Sequence, residues 1–514
     1  MTRTRIRSRF AGRRLSLTRL LVSVAAFAIV SASAVAAVVL PQLPPQIPGT
    51  PMSQRWFASY YDVTIETGEE LARSALGTAP GGVALAFVVA ADDGECTPTW
   101  GKTYSLDAAS TLFQLDRRVE RMRREGRPLS VSFGGAINTE LAGACATVTD
   151  LTDAYRTVMD RYGIDVMDLD IEGDDLEDAE AAARRAQAVA RLQQERQDAG
   201  GSLDVWLTLP VAPNGLTGQG LAQIVELLDA GVHLSGVNAM TMNYGADGAA
   251  DSMSALSIDA LRAVADQLSR TWDARDLALP VGGVWALMGA TPMIGRNDVP
   301  GEVFTLDDAR ALQEFASAQG MARVSMWSLN RDRTCGSNYP HLDVVSPSCS
   351  GIEQGGESFA TILSSGYDGA PSGVSAPADE AEVIADDPST SPYPVWSSEA
   401  FYSAGVSVVW KGSVYMAKWW NEGGAQPDDP TLDANGSAWT YIGPVLSGDE
   451  PFTLPQLPAG TYPDWSPTTL YNQGDRVMLD GAGYEARWWS QGQSPARAVL
   501  DHDYSPWKLL TDGP

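Results

Sequence analysis

From Ser53 to about Ser365, short apolar runs rich in β-branched and aromatic residues alternate with longer Ala/Arg/Asp/Leu stretches of helical period. That alternation predicts repeated βα units and a parallel sheet. The expected strands are Trp56–Tyr61, Val83–Ala90, Leu129–Gly134, Val166–Glu172, Leu203–Pro210, Gly236–Met242, Leu279–Val284 and Arg323–Leu329. Eight strands in a segment of this size predict an α/β fold, a (β/α)8 (TIM) barrel over 53–365. An open doubly wound sheet has fewer strands, and no Gly-x-Gly-x-x-Gly follows the first run.

The pattern then changes. Residues 366–392 are rich in Asp, Glu, Ser, Ala and Pro with almost no aromatic side chain, which reads as a solvated linker. Beyond it the chain repeats itself at a constant offset of 69, pairing Trp396 with Trp465, Tyr402 with Tyr471, Val408 with Val477, Tyr415 with Tyr484, Trp419 with Trp488 and Trp420 with Trp489. Two copies of one small all-β module are expected, 393–444 and 462–511, separated by a Pro-containing linker at 445–461.

At the other end, an Arg-rich start precedes Leu20–Leu40, a stretch without a charge, and then several prolines. Residues 1–48 therefore read as an export signal plus spacer, with Ala32-Ser33-Ala34 or Ala34-Val35-Ala36 as the cut. If it is left uncut, residues 20–40 are long enough to anchor the chain at the cell surface, the sole membrane contact expected. Either way the remainder is extracellular. The four cysteines fall into two local sets, Cys96 with Cys145 and Cys335 with Cys349, and two disulfides are expected in an oxidising compartment. His233, His341 and His502 are scattered and the cysteine spacings do not suit zinc, so neither a metal nor another cofactor is expected. With 36 basic against 64 acidic residues, the net charge of −28 disfavours nucleic acid and anionic membrane surfaces and favours a neutral ligand. The chain is expected to be a monomer.

The strongest local signal is Asp165-Val166-Met167-Asp168-Leu169-Asp170-Ile171-Glu172. Side chains on a strand alternate, so Asp168, Asp170 and Glu172 project together while Met167, Leu169 and Ile171 face the helices. Like charges this close resist simultaneous ionisation, so one carboxyl should keep its proton near neutral pH and serve as a general acid. Glu172, nearest the rim, is the best candidate.

These residues resemble the fourth-strand D-x-x-D-x-D-x-E of family 18 glycoside hydrolases, the chitinase family. Three further stations are similar to that family: Ser132-Phe133-Gly134-Gly135 on the third strand, Met240-Thr241-Met242-Asn243-Tyr244-Gly245 on the sixth and Met326-Trp327-Ser328-Leu329 on the eighth. The resemblance implies a retaining, substrate-assisted hydrolysis of chitin or N-acetylglucosamine oligomers, in which the sugar's own 2-acetamido oxygen is the nucleophile. It makes Glu172 the general acid and base. Asp170 accepts the acetamido N–H, and Asp168 shares a proton with Asp170. Asn243 stands where the family commonly has an aspartate, and Tyr244 would supply a hydroxyl to the acetamido oxygen in place of Met242. Trp327 would floor the distorted subsite, with Tyr60, Trp285 and Met242 lining the groove and Ser132 hydrogen-bonding Asp168. An endo-β-N-acetylglucosaminidase acting on glycans, or a non-hydrolytic chitin-binding protein, is the alternative.

Each repeat is similar to the family 5/12 chitin-binding modules, which carry W-x-x-x-x-x-Y-x-x-G-x-x-V and then Y-x-A-x-W-W. The resemblance implies sugar contact by Trp419, Trp420 and Tyr415 in the first copy and by Trp488, Trp489 and Tyr484 in the second. Neighbouring strand residues face opposite ways, so one ring of each Trp pair is expected to be buried and the other presented. Two such modules on a flexible tether would raise the effective concentration at an insoluble surface.

Overall fold

The strands β1 (Trp56–Asp62), β2 (Gly82–Ala90), β3 (Leu129–Gly134), β4 (Val166–Asp170), β5 (Asp204–Ala212), β6 (Leu234–Met240), β7 (Met288–Thr291) and β8 (Arg323–Met326) run parallel. Each pairs with the next, and β8 pairs back onto β1 through Trp56 and Arg323, closing a barrel. This is a computed structural model, and it describes residues 55–65, 79–91, 95–245, 252–339, 344–371, 386–432 and 436–511. The export segment 1–48, His341 and the middle of the expected 366–392 linker lie outside the described residues.

Both faces of the strands are covered, one by the barrel interior and one by the helices, so nearly every strand residue is buried. The outer layer comprises α1 (Leu106–Phe113), α2 (Leu115–Arg124), α3 (Val148–Tyr162), α4 (Ala179–Asp198), α5 (Gly218–Asp229), α6 (Met253–Asp273) and α7 (Leu306–Gln319). A side-chain cap fixes the start of each from α3 onward: Thr147, Asp178, Thr217, Ser252 and Thr305 each accept the backbone N–H three residues on. Disulfides join Cys96 to Cys145 and Cys335 to Cys349. Among the described residues no helix is long and apolar enough to cross a membrane.

The seventh strand is not Leu279–Val284. That segment contains Pro280 and two glycines of positive φ, Gly282 and Gly283, and it turns into a short 3-10 helix, Gly283–Leu287. The strand follows at Met288–Thr291, where Gly289 is small for a physical reason. A side chain at Gly289 would press on Asn238 and on Arg323, which both fill the barrel interior from the neighbouring strands.

After the barrel, β9 (Ser407–Trp410), β10 (Ser413–Ala417) and β11 (Trp439–Pro444) form one antiparallel sheet, and β12 (Arg476–Leu479), β13 (Ala482–Ala486) and β14 (Trp507–Leu509) another. Their registers correspond: Ala417 faces Trp439 as Ala486 faces Trp507. The two cores also correspond, Tyr402 packing edge-on to Trp439 at 4.9 Å and Tyr471 to Trp507 at 5.1 Å. The barrel and both repeats belong to one compact unit, 50–514.

Candidate active site at the barrel mouth

The inward positions of the strands carry polar side chains stacked in layers. Asp168 on β4 is fully buried and accepts from Tyr60 Oη (2.8 Å), Ser132 Oγ (2.8 Å), Thr208 Oγ1 (2.8 Å) and Arg323 Nη1 (2.6 Å). Arg323, equally buried, also donates to Tyr60 Oη and lies against the rings of Trp56, Tyr60 and Trp206. A carboxylate with four donors and a guanidinium beside it is held in one orientation. Beside this cluster, Asn238 donates to Thr291 Oγ1 at 2.6 Å and to Thr208 Oγ1 at 3.1 Å.

Two residues further along β4, Asp170 is buried and one of its oxygens, Oδ1, has no hydrogen-bond partner. Burial, then the charges of Glu172 and Asp168, push its carboxyl well above the ordinary carboxylate range, against the opposing pull of Arg323. The hydrogen bonds of Asp168 go to its four donors, and none runs to Asp170. The chain stays extended through Glu172, at φ −135° and ψ 171°, so the alternation of β4 carries past its last hydrogen-bonded residue. Glu172 is pushed up to about 7, first by burial and then by the charge of Asp298.

Both line a cavity of about 420 Å³ at the carboxyl-terminal end of the strands. Tyr60, Phe87 and Trp327 form its aromatic wall, Phe87 stacked on Trp327 at 5.3 Å, and Met242 also faces it. Flat rings of this kind suit the apolar face of a pyranose. On the far wall Asn243, Asp298 and Arg331 meet. Asn243 donates from Nδ2 to Asp298 at 3.0 Å and accepts the Asp298 N–H at 2.9 Å. Arg331 is buried with Nε and Nη1 unpartnered, and burial lowers it to about 10.

Several sequence expectations meet their positions here and others do not. Asp170, Glu172, Tyr60, Met242, Asn243 and Trp327 line the cavity, while Asp168 and Ser132 lie just beneath. Tyr244 does not reach it: its hydroxyl points to Ser257 on α6 at 3.4 Å, and its N–H goes to Glu302. Trp285 is also absent from the groove, packed edge-on to Phe315 of α7 at 5.6 Å. Asp298, Arg331 and Arg323 were not legible as site residues. Strand alternation over Arg323, Ser325 and Trp327 was the available signal for the last. Among the described residues no cluster of His, Cys, Asp and Glu is suited to a metal ion.

In the repeats, all four paired tryptophans are surface residues: Trp419 is 44% exposed, Trp420 36%, Trp488 42% and Trp489 59%. The expectation of one buried ring per pair fails because the pairs lie beyond the ends of β10 and β13, while Tyr402/Trp439 and Tyr471/Trp507 already fill the cores. Tyr484 is core, fully enclosed, and Tyr415 is half-buried against Tyr441, so neither offers a free ring face.

The Asp298 carboxylate gives a testable pH dependence. A general acid acts while protonated, so with Glu172 in the role expected from the sequence, activity should fall as pH rises through its titration. Asp298→Asn removes a negative neighbour, which lowers that titration and moves the alkaline limb of the kcat/KM profile to lower pH by roughly half to one pH unit. An unmoved limb in the variant contradicts the assigned electrostatic coupling.

Comparison with known proteins agrees with this geometry. Residues 464–508 match the model of carbohydrate-binding module family 5/12. The chain is similar to a probable bifunctional chitinase/lysozyme of Escherichia coli K12, 34% identical over 298 residues, which are 56% of this chain and 33% of that one. It is also similar to endochitinase 11 of Metarhizium anisopliae, 32% identical over 295 residues, 55% of this chain and 54% of that one. Among solved structures, the catalytic domain of a hyperthermophilic chitinase from Pyrococcus furiosus matches with a TM-score of 0.50 and 26% identity, covering 62% of this chain and 96% of that domain. The matched regions span between a third and about half of the two curated relatives.

Proposed function

We propose that the protein is a secreted chitinase that hydrolyses β-1,4 links between N-acetylglucosamine units with retention of configuration. The observation that carries this reading is the stacked acid pair, a buried Asp170 held well above the ordinary carboxylate range two residues below Glu172, which is pushed up to about 7 at the wall of an aromatic-sided cavity.

In the first step Glu172 protonates the glycosidic oxygen while the acetamido carbonyl oxygen of the same sugar attacks the anomeric carbon. The C1–O bond to the leaving sugar breaks and a cyclic oxazolinium forms. Asp170 turns its unpartnered Oδ1 to accept the acetamido N–H, which the developing positive charge makes a stronger donor, and keeps its own proton. The Asp168–Arg323 cluster holds the floor on which that turn occurs. Glu172, now a carboxylate, takes a proton from water, which opens the oxazolinium at the anomeric carbon from the face the leaving group vacated. No enzymic nucleophile is needed, and Asn243, engaged with Asp298, serves the wall rather than the reacting bond.

Both repeats are read as carbohydrate-binding modules, the first by its correspondence to the second in register and core. Their exposed tryptophans suit the apolar faces of a polysaccharide. The two disulfides fit an extracellular location. The reading is tested by incubating the full chain with chitin oligomers and with high-mannose glycopeptide. Soluble sugar from the oligomers alone is expected. Cleavage of the glycopeptide alone would assign the chain to glycan processing, and release from neither would make it a binding protein.

A further inference from the structure

The first repeat does not hang free of the barrel. Arg117 of α2 reaches into it, and its guanidinium holds the Asp449 carboxylate by two bonds of 2.8 and 3.0 Å and also donates to the Pro444 carbonyl. The pair is largely enclosed, with side chains 6% and 14% exposed. One helical turn on, Arg121 donates to the Tyr441 carbonyl at 2.7 Å and lies over the Tyr441 ring at 4.8 Å. Between them the backbones come so close that a side chain at Gly443 would run into the Arg117 carbonyl. A bidentate, enclosed ion pair with a cation over an aromatic ring is a specific contact rather than a chance touching of surfaces.

The two copies differ where this contact is made. Tyr441 faces Tyr415 across the sheet, and the equivalent partner of Tyr484 is Leu509. Counting on from Trp439 and Trp507, Gly443 corresponds to Thr511. The second copy thus lacks both the ring under Arg121 and the glycine that admits α2.

A second seam joins the copies to each other. Asp501 is fully buried and accepts from Arg497 at 2.6 Å, from Trp420 Nε1 at 3.3 Å and from Ser403 Oγ at 3.4 Å. Backbone bonds run both ways beside it, Ser403 N–H to the Leu500 carbonyl and Asp503 N–H to Ser403 Oγ. Phe401 sits under the Arg497 guanidinium at 4.1 Å, and Trp420 packs edge-on to Tyr504 at 5.6 Å. Trp420 is therefore engaged in the seam, which leaves Trp419, Trp488 and Trp489 as the open tryptophans, Lys418 lying over one face of Trp419 and Arg487 over one face of Trp488.

We propose that barrel, first repeat and second repeat form one rigid body, locked by Arg117 and Arg121 on the barrel flank and by Asp501 between the repeats, so that the open tryptophans meet an insoluble polymer in a fixed orientation to the cleft. This rests on the carbohydrate-binding reading for its substrate, and on the interfaces alone for its rigidity. It replaces a flexible tether by preorganisation: the orienting entropy is lost on folding rather than at each encounter with the surface.

The test places dyes at Arg262→Cys on α6 and Thr468→Cys in the second repeat of the full chain and records single-molecule energy-transfer distributions. One narrow distribution is expected for the otherwise unaltered chain. The double variant Arg117→Ala/Arg121→Ala should broaden it, and Gly443→Val, a wedge from the opposite side, should do the same. The double variant should retain its turnover of soluble oligomers and its capture by chitin beads, while turnover of insoluble chitin falls about threefold. A broad distribution before any interface change, or an unchanged narrow one after both, overturns the rigid body. Broadening without loss on insoluble chitin overturns its use in attack. If no variant and no parent cleaves chitin, the functional reading fails, and the distance distributions still decide the rigidity.

Discussion

Replacing Glu172 by glutamine is expected to lower kcat on chitin oligomers by about 10³-fold while leaving KM nearly unchanged. The amide keeps the size and the polar character of the side chain but has no proton to release at the glycosidic oxygen. The other carboxyls on and beneath the cavity wall are engaged elsewhere. Asp62 accepts from the Thr64 N–H and hydroxyl, Asp170 lies deeper, Asp168 has every oxygen engaged, and Asp298 is tied to Asn243. Initial rates of soluble sugar release from purified wild type and variant measure the effect, and an active variant removes Glu172 from the acid role.

The second large effect concerns stability. Arg323→Met should cost about 3–5 kcal/mol, because it leaves the Asp168 carboxylate inside the barrel without its cation. The same change removes the guanidinium from among Trp56, Tyr60 and Trp206. A denaturant titration reads the loss. Adding Asp168→Asn to Arg323→Met should recover most of it, since both charges are then gone and the remaining partners, Tyr60, Ser132 and Thr208, can bond an amide. Activity should stay low in the double variant, because the floor under Asp170 is no longer charged. A single variant as stable as the parent would show that the buried pair contributes little.

Much of this was legible in the chain because strands impose a period of two. In the fourth strand the alternation of large apolar residues with Asp168, Asp170 and Glu172 has no other simple reading, and the geometry follows it residue by residue. The seventh strand was misplaced for an opposite reason. It is only four residues long and one of them, Gly289, makes room for Asn238 and Arg323, so its hydrophobic signal is short, while the nearby Leu279–Val284 turn carries a longer one. Tyr244 shows a related failure. Asn243 takes a positive φ of 54°, which swings the next side chain away from the mouth and toward α6.

Asp298 could not be found by pattern at all. It lies on the connection after β7, far along the chain from Glu172, and only closure of the barrel brings the two together. The paired tryptophans mislead in the same way, since strand alternation does not hold once the strand has ended. Local periodicity specifies the elements and the acid row, whereas loop residues that complete the cavity depend on contacts between distant segments.

The central claim is that an acid row, with its outermost member as proton donor, lets the sugar's own amide attack the anomeric carbon. Proton nuclear magnetic resonance of the first products from an N-acetylglucosamine oligomer tests it most directly, before the anomers equilibrate. The account predicts new reducing ends of β configuration, with the α form growing in afterwards. New ends that are α from the start would mean direct attack by water, and the acetamide-assisted mechanism would be wrong.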